Sequence, residues 1–315
     1  MGVRVDEIDA RTASDEVLSR FAAVEHGTYH EQAPGEPLRT TAEAIAFYRH
    51  QPTTHTSCHW LADGALASLF VHGPSAAFIN LNVLPDRRRK GIGTALLNRV
   101  IERARGLDVQ SLHAHHSTSA GAAFAALFGF KDGQRVVRSL LDLQNAELPE
   151  PAPPDGWALV TWLARVPDEH LASFVTARAA MDDAPSSSDL EFPTWTAANV
   201  RASEESLALR NREMRITVAI RDDGEIGAFT ELRVSRGSTL GFTDDTGTVS
   251  AHRRQGLARA VKVESLRRLR ADRPEITVVT TSNAEENAAM RHVNESVGFR
   301  PSQVETMASL SLSVP

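Results

Sequence analysis

Basic residues and glycines are grouped at two places in the chain in a pattern that suits phosphate binding. The two groups read Arg88-Arg89-Lys90-Gly91-Ile92-Gly93-Thr94 and Arg253-Arg254-Gln255-Gly256-Leu257-Ala258. Glycine lets a backbone approach a ligand closely, and each group opens a helix-like segment whose first amides have no intrahelical partner. These amides, the helix dipole and the arginines attract an anion. Both loops therefore predict the binding of a phosphorylated cofactor.

The two loops hold matching places in the two halves of the chain. Gly91 corresponds to Gly256, and a Gly-Phe pair follows each loop, at Gly129-Phe130 and Gly298-Phe299. An internal repeat of this length indicates two related domains and not a solenoid.

Prolines mark the boundary between the halves. Residues 149–154 contain four of them, and proline fixes φ and lacks a backbone donor, which makes a stiff extended linker. We therefore expect an N-terminal domain of residues 1–146, a proline-rich linker of residues 147–156 and a C-terminal domain of residues 157–315.

Helix-like and strand-like segments follow the same order in both halves. Two helices come first, beginning with Ser14–Glu25 in the first half, and three strands follow. The last of these strands is expected at Phe78–Val83 and at Asp245–Val249, directly before each loop. A helix, a further strand and a second helix complete each half. Strands mixed with helices predict an α/β (α+β) fold.

Composition excludes several classes of protein. The formal net charge of −6 argues against a general nucleic-acid binder. A single cysteine, Cys58, excludes an intrachain disulfide. The acidic N-terminus lacks the apolar core of a signal peptide, and no apolar run is long enough to span a bilayer, so we expect a cytoplasmic protein without a membrane partner. The group His113-Ala114-His115-His116 has no Cys or adjacent carboxylate beside it, so no metal is expected.

The loop pattern resembles a known family. Arg/Gln-x-x-Gly-x-Gly/Ala between a strand and a helix is similar to the acetyl-CoA pyrophosphate loop of the GNAT acyltransferases. The segment from Val83-Leu84-Pro85 to Leu96-Leu97 looks like that family's motif A, and the second half is similar to the C-terminal half of actinobacterial tandem GNAT proteins. The resemblance covers nearly the whole chain. It implies two tandem GNAT-like domains, each a mixed, mostly antiparallel central sheet flanked by helices and splayed between its fourth and fifth strands.

The resemblance also implies a reaction and its binding residues. CoA would lie in the splay, an acceptor amine would attack the thioester directly, and a backbone amide of the fourth strand would polarise the carbonyl. The implied donor is acetyl-CoA. The acceptor is expected to be a small amine, because no protein-docking module is recognisable, and the protein is expected to be a monomer or homodimer. The implied CoA-binding residues beyond the two loops themselves are Val83, Thr248, Val249 and Asn287.

The halves depart from the family pattern in different ways. The family commonly has an Asn that contacts CoA and, before the Gly-Phe pair, a Tyr that acts as the acid. The first half has Thr118 and Ala125 at these positions, whereas the second half keeps Asn287 and has Asn294 in place of the Tyr. An amide cannot protonate a thiolate, but it can hold a water or the thiol by hydrogen bonding.

Carboxylates in the second half are candidates for the general base. Glu231 lies on the third strand, with Asp244 and Asp245 at the entrance of the fourth, where partial burial would raise a pKa. We predict Glu231, Asp245 and Asn294 as catalytic residues, although strand-end acids usually face solvent. The fourth strand of the first half offers only amides, Asn80 and Asn82, and its histidine candidates are His72, His113 and His115.

Three functions remain open at this stage. The first is an acetyl-CoA-dependent N-acetyltransferase acting on a small amine. The second is a binding protein that holds CoA without turnover, which the missing tyrosines favour. The third is a transferase that uses aminoacyl-tRNA as the donor, which the net charge and the CoA-type loops disfavour.

Three acidic residues of the second half have two interpretations. Asp182, Asp183 and Glu191 would attract a cationic amine, or they are part of a plain loop.

Overall fold

The computed structural model describes residues 2–51, 56–71, 76–181 and 195–312. Its helices are α1 Asp15–Gln32, α2 Thr41–Arg49, α3 Ile92–Arg105, α4 Ser119–Leu127, α5 Asp168–Arg178, α6 Ala197–Leu209, α7 Leu257–Asp272 and α8 Ala288–Ser296. Its strands are β1 Asp6–Ile8, β2 Thr56–Ala62, β3 Ala65–Val71, β4 Ala76–Val83, β5 Ser111–His116, β6 Lys131–Asp142, β7 Ala158–Leu163, β8 Arg212–Ile220, β9 Ile226–Ser235, β10 Leu240–Thr248, β11 Val278–Ala284 and β12 Arg300–Ser311. No helix of the described chain is both long and apolar enough to cross a membrane.

The described residues form two compact units. The first unit holds residues 2–136 and 303–312, and the second holds residues 137–181 and 195–302. Each unit therefore contains a short segment from the opposite half of the sequence. The domain limits 1–146, 147–156 and 157–315 stay a prediction.

The first unit is a six-stranded sheet in the order β1-β2-β3-β4-β5-β12. Neighbours are antiparallel except β4 and β5, which run parallel. Its last strand comes from the end of the chain: Thr306 lies opposite His116 and Ser311 opposite Ser111. Alternate residues of this segment point inward, and Ala308 and Leu312 are buried in the core that α3 covers.

The second unit repeats this arrangement with β7-β8-β9-β10-β11-β6. Here β10 and β11 are the parallel pair. The strand beside β11 is β6, where the hydroxyl of Thr280 donates to the Ser139 carbonyl at 3.3 Å. Leu141 and Leu143 alternate into the core with residues of α7 and β9. Both sheets are thus completed by a strand from the other half of the sequence.

Both sheets splay where the resemblance implies. In the first unit β4 and β5 are paired only from Ala76 to Phe78. In the second unit β10 and β11 are paired only from Leu240 to Thr243. Beyond these points each parallel pair separates, which leaves a cleft at the end of β4 and of β10 that carries the loop. The predicted fold class is confirmed.

Two predicted elements have wrong limits. Helix α1 continues to Gln32 and not Glu25, because Gly27 packs against the Leu84 side chain and Thr28 is buried with its hydroxyl on the Val24 carbonyl. Strand β10 begins at Leu240 and not at Asp245, because its first residues pair with both β9 and β11. In both places tertiary packing overrides a weak local pattern.

The exchanged strand gives a stability prediction. Ala308→Asp should place an unpaired carboxylate in the core of the first unit, since Ala308 is only 1% exposed. We expect a loss of more than about 3 kcal/mol of unfolding free energy. Hydrogen exchange measured by mass spectrometry should show lost protection in peptides of β2 to β5.

The matched control is Val304→Asp, because Val304 lies on the same strand and is 38% exposed. It should leave protection of β2 to β5 unchanged. If Ala308→Asp instead loosened only peptides from residues 195–302, the assignment of this segment to the first unit would be wrong.

Candidate functional site

The two predicted phosphate loops have the same backbone conformation. Each passes through a short 3₁₀ turn and then places an arginine in the left-handed region, with φ of 62° at Arg89 and 64° at Arg254. Gly91 and Gly256 follow with φ of 79° and 82°. Non-glycine residues rarely adopt a positive φ. A positive φ at the corresponding arginine of each loop therefore indicates that both loops have the same backbone geometry.

The helix that follows each loop has an open N-terminus. Gly91 and Gly256 are the N-caps of α3 and α7, and neither helix receives a side-chain cap. No atom lies within 4 Å of a Cβ built on either glycine. The first-turn amides therefore have no side-chain cap, and the residues present fit a phosphate or pyrophosphate group.

The loop side chains divide into buried and exposed groups. Ile92 and Leu257 are buried, so only their backbone is placed to meet a ligand. A Cβ on Gly93 would lie 3.0 Å from the Phe124 ring, which explains why this position is glycine in the first loop. The exposed members are Arg89, Lys90, Thr94, Arg253, Arg254 and Gln255, and Ala258 is half-buried.

One loop arginine is anchored to the preceding strand in each unit. Arg88 donates through Nε to the Val83 carbonyl at 3.1 Å, and Arg253 donates in the same way to the Thr248 carbonyl at 3.2 Å. Arg88 has an additional partner, because its Nη2 lies 2.7 Å from a Glu31 carboxylate oxygen. The first loop is therefore tied to α1. Val249 continues the strand end, with its amide 2.9 Å from the Gly227 carbonyl.

Helix α1 also covers the end of β4 in the first unit. A Cβ on Gly27 would lie 2.2 Å from Leu84 Cδ2, so the helix and strand are in close contact. Gln32 donates to the Asn82 side-chain oxygen at 2.7 Å. Of the two amides predicted on this strand, Asn82 is therefore held by the helix, and Asn80 is exposed.

The second unit differs at its fourth strand, which contains a β-bulge. The register between β9 and β10 shifts between Thr243 and Thr246, so that Asp244 and Asp245 together lie opposite Glu231. In the first unit β3 and β4 pair without such a shift. A bulge leaves one residue unpaired in the ladder and redirects side chains, and bulges are common beside active sites. Asp245 thus lies within the strand and not at its entrance.

Glu231 forms a buried cluster with an arginine that the sequence did not single out. Its side chain is 8% exposed and pairs with Arg178 of α5, which is 3% exposed. Arg178 also donates to Asp245 Oδ2 at 2.7 Å. Burial raises the pKa of Glu231 to about 7, although the charge of Arg178 opposes this. Such a carboxylate is poised to exchange a proton near neutral pH.

The neighbouring Asp244 has a different partner. Its carboxylate pairs with Arg233 of β9. Burial raises the pKa of Asp244 to about 6, and Arg233 opposes the rise. The bulge therefore directs its two carboxylates to two different arginines.

Two asparagines lie on the other side of the second cleft. Asn287 is the N-cap of α8, where its oxygen accepts from the Met290 amide at 3.1 Å. Asn294 is 2% exposed and donates to the Asn283 oxygen of β11 at 2.5 Å. The Asn294 Oδ1 atom is buried without a hydrogen-bond partner among the described residues. A buried orphan acceptor of this kind is free to accept a hydrogen bond from a ligand or water.

The histidine candidates of the first unit are engaged in structural contacts. His113 is buried with a ring nitrogen 3.0 Å from the Ser111 hydroxyl, and His115 lies 3.7 Å from a Glu305 oxygen. His72 and the acidic residues Asp182, Asp183 and Glu191 lie outside the described residues.

Arg178 is the principal site residue that sequence reasoning missed. Its partner Asp245 is 67 positions away in the chain. The available signal was its place beside the buried residues Phe174 and Ala177 of α5, where a cation requires a partner. Periodicity could have revealed that requirement but not the partner.

Comparison with known proteins identifies relatives for both the sequence and the fold. Residues 25–130 match the family model described as the acetyltransferase (GNAT) family. A mycothiol acetyltransferase of Nocardia farcinica is 28% identical over 255 residues, which cover 78% of this chain and 80% of that protein. Another from Thermomonospora curvata is 33% identical over 149 residues, 46% of this chain and 47% of that protein.

Two solved structures share the fold along the chain. A tandem GNAT protein from the clavulanic acid biosynthesis pathway has a TM-score of 0.84 at 24% identity, covering all of both chains. A GCN5-related N-acetyltransferase from Sphaerobacter thermophilus has a TM-score of 0.72 at 15% identity, covering 98% of this chain and 96% of the other. At these identities the two structures establish the likeness of the fold alone.

The matched loops give a binding prediction. Gly91→Asp and Gly256→Asp should each remove the anion site of its own loop, because a carboxylate at the helix N-terminus repels phosphate. Aspartate tolerates the left-handed region better than most residues, so both variants should fold. Isothermal titration with coenzyme A should give two sites in the wild type, one in each variant and none in the double variant.

Gly129→Asp is the matched control, since Gly129 has φ of 78° with open space at its Cβ but lies outside the loops. It should bind as the wild type does. Unchanged binding by the double variant would rule out both loops as coenzyme A sites.

Proposed function

We propose that this chain, which belongs to the acetyltransferase (GNAT) family, transfers an acetyl group from acetyl-CoA to the amine of a small molecule. We place the reaction in the second unit. The observation that carries this choice is the buried Glu231 lying opposite a bulge in β10, directly beside the point where β10 and β11 separate. A base, a displaced backbone and an open cleft coincide there.

Binding of the donor is assigned to the loop and the cleft. The open amides at the start of α7 would hold the pyrophosphate, with Arg253, Arg254 and Gln255 beside them. The backbone groups freed where β10 leaves β11 would meet the rest of the donor, because unpaired backbone groups need partners. Acetyl-CoA supplies an acyl carbon that is activated for attack by an amine.

Glu231 is proposed as the general base. Arg178 pairs with its Oε1, so we assign proton uptake to the other oxygen, Oε2. A pKa of about 7 keeps a useful fraction ionised at neutral pH and still favours proton uptake. Asp245 is held near Glu231 because Arg178 pairs with both carboxylates. Its negative charge favours the binding of a cationic amine.

Asn294 is proposed to assist departure of the thiol without acting as an acid. An amide has no proton to transfer to a thiolate, but the unpartnered Oδ1 can accept a hydrogen bond from a thiol or from a water. Because Glu231 accepts the one proton that the amine loses, the thiolate would take its proton from solvent.

The first unit is proposed to bind CoA without turnover. Its loop matches that of the second unit, but α1 packs onto the end of β4 and ties up Asn82. Its β3–β4 pair has no bulge. It therefore has a donor loop and lacks the features that support catalysis in the second unit.

The names of two relatives favour one acceptor amine. The two relatives compared above carry the name mycothiol acetyltransferase, which makes mycothiol lacking its acetyl group the first acceptor to test. Amino sugars and simple primary amines form the rest of the panel.

Replacement of the base should stop turnover. We expect Glu231→Gln to lower kcat by about 10²- to 10⁴-fold, the usual contribution of a general base, with little change in the KM for acetyl-CoA. Release of free CoA thiol, followed colorimetrically with the amine panel, measures this directly. Glu275→Gln is the control, because Glu275 is an exposed acid of the same unit that pairs with Arg273.

If wild-type protein binds coenzyme A but releases none from acetyl-CoA with any amine, the protein is a CoA-binding protein and our proposal is wrong. Amine-dependent release of CoA would also exclude aminoacyl-tRNA as a required donor.

The wild-type rate should depend on pH in a defined direction. Glu231 must be ionised to accept a proton, so kcat/KM should rise with pH through about 7 and level off above it. A profile that is flat between pH 6 and 8 for a poorly basic amine would contradict the assignment.

A further inference from the structure

We propose that Arg178 is a positioning residue for this reaction: its guanidinium holds one oxygen of Glu231 and the Asp245 side chain together, and so fixes the base relative to the bulge. This inference rests on the proposed function of the second unit. Arg178 would contact neither the donor nor the acceptor, and it would act through the two carboxylates that it joins.

The contacts use separate nitrogens of one rigid group. Nη1 of Arg178 pairs with Glu231 Oε1, and Nη2 donates to Asp245 Oδ2 at 2.7 Å. Because guanidinium is planar, the two nitrogens keep a constant separation and direction. The carboxylates of β9 and β10 are therefore held at a separation that a flexible point charge, such as a lysine ammonium, would not impose.

Arg178 is itself held on several sides. Its guanidinium carbon lies 3.6 Å from the centre of the Trp195 ring and 5.6 Å from that of Phe229. These distances are typical of cation–π contacts, and the side chain is only 3% exposed. A charge this deeply buried is stable only with its partners in place. The guanidinium is thus a fixed point against which Glu231 is aligned.

The bulge is fastened at two successive residues. Arg178 holds Asp245, and the hydroxyl of the next residue, Thr246, lies 2.7 Å from that of Thr230. Regular pairing of β10 with β9 resumes at this same pair. The bulge is therefore held by the same side chain that holds the base.

The charges around Glu231 give Arg178 a second effect. The charged groups that act on it are Arg178 from α5 and Asp244 and Asp245 from β10. Asp244 is balanced by its own partner, Arg233. Without Arg178, Glu231 would face two aspartates in a buried site, with no cation in contact among the residues that the structure describes. It would then hold a proton more tightly and would be a poor base at neutral pH.

The test compares Arg178→Gln and Arg178→Lys with the wild type. Protein labelled with carbon-13 at the glutamate carboxyl carbons is titrated by NMR, and the Glu231 signal is identified by its loss in Glu231→Gln. Turnover with acetyl-CoA and the best amine of the panel is measured in parallel. Arg215→Gln is the matched control, because Arg215 is an equally buried arginine of the same unit that pairs with Glu213 and Asp272.

Each variant has a distinct expected result. In Arg178→Gln the titration midpoint of Glu231 should rise by at least about one pH unit, and kcat at pH 7 should fall at least about 10-fold. Arg178→Lys keeps the positive charge but lacks the planar guanidinium with its two fixed nitrogens. In this variant Glu231 should titrate close to its wild-type midpoint. The kcat should still fall about 10-fold, and the KM for acetyl-CoA should stay within about two-fold of the wild type. Arg215→Gln should lower thermal stability without moving the Glu231 midpoint.

The proposal is overturned if Glu231 titrates in folded Arg178→Gln as it does in the wild type. If Arg178→Gln does not fold, Arg178→Lys decides, and full wild-type kcat in that variant overturns the proposal. The proposed function fails separately, through absence of turnover in the wild type. In that case the carboxyl titration still tests whether Arg178 controls Glu231.

Discussion

Backbone groups that leave a sheet must find other hydrogen-bond partners, and both units depend on this constraint. β4 separates from β5 after Phe78, and β10 separates from β11 after Thr243. Each separation creates a cleft lined by amides and carbonyls, and a loop with an open helix N-terminus stands at its end. A long, polar, phosphate-bearing ligand satisfies both sets of groups at once. The fold therefore provides the geometry on which the proposed donor site rests, before any catalytic side chain is considered.

The two units share the strand separation and the loop, and they differ in the residues that surround them. Their loops agree in backbone conformation down to an arginine at positive φ. In the first unit, α1 lies against the end of the fourth strand, and Glu31 holds Arg88. In the second, a bulge places Asp244 and Asp245 opposite Glu231 in the ladder, and Arg178 is buried with contacts to both Glu231 and Asp245. Both units therefore have the loop, whereas among the described residues the features that support the proposed chemistry are found in the second unit alone.

The sequence predicted the local features well and the long-range ones poorly. The loops could be predicted because glycines and arginines within seven residues determine their own backbone and charge. The central strands could be predicted because their apolar residues are continuous. The exchange of β6 and β12 could not be predicted, because Ala308 and Leu312 alternate as the buried residues of any half-buried strand do and do not indicate which strands it pairs with. The early start of β10 was hidden by its glycines and aspartates.

The sequence by itself determined the two glycine- and arginine-containing loops, the duplication and the position of Glu231 on a strand, since each of these depends on neighbours in the chain. Only the tertiary structure decided what Glu231 experiences. Its burial depends on α5 packing on β9, and its ion pair comes from Arg178, whose second partner Asp245 is 67 positions away. Whether an acid at a strand position is an inert surface group or a poised base is set by desolvation and by nearby charge. Both arise from residues that the folded chain brings together.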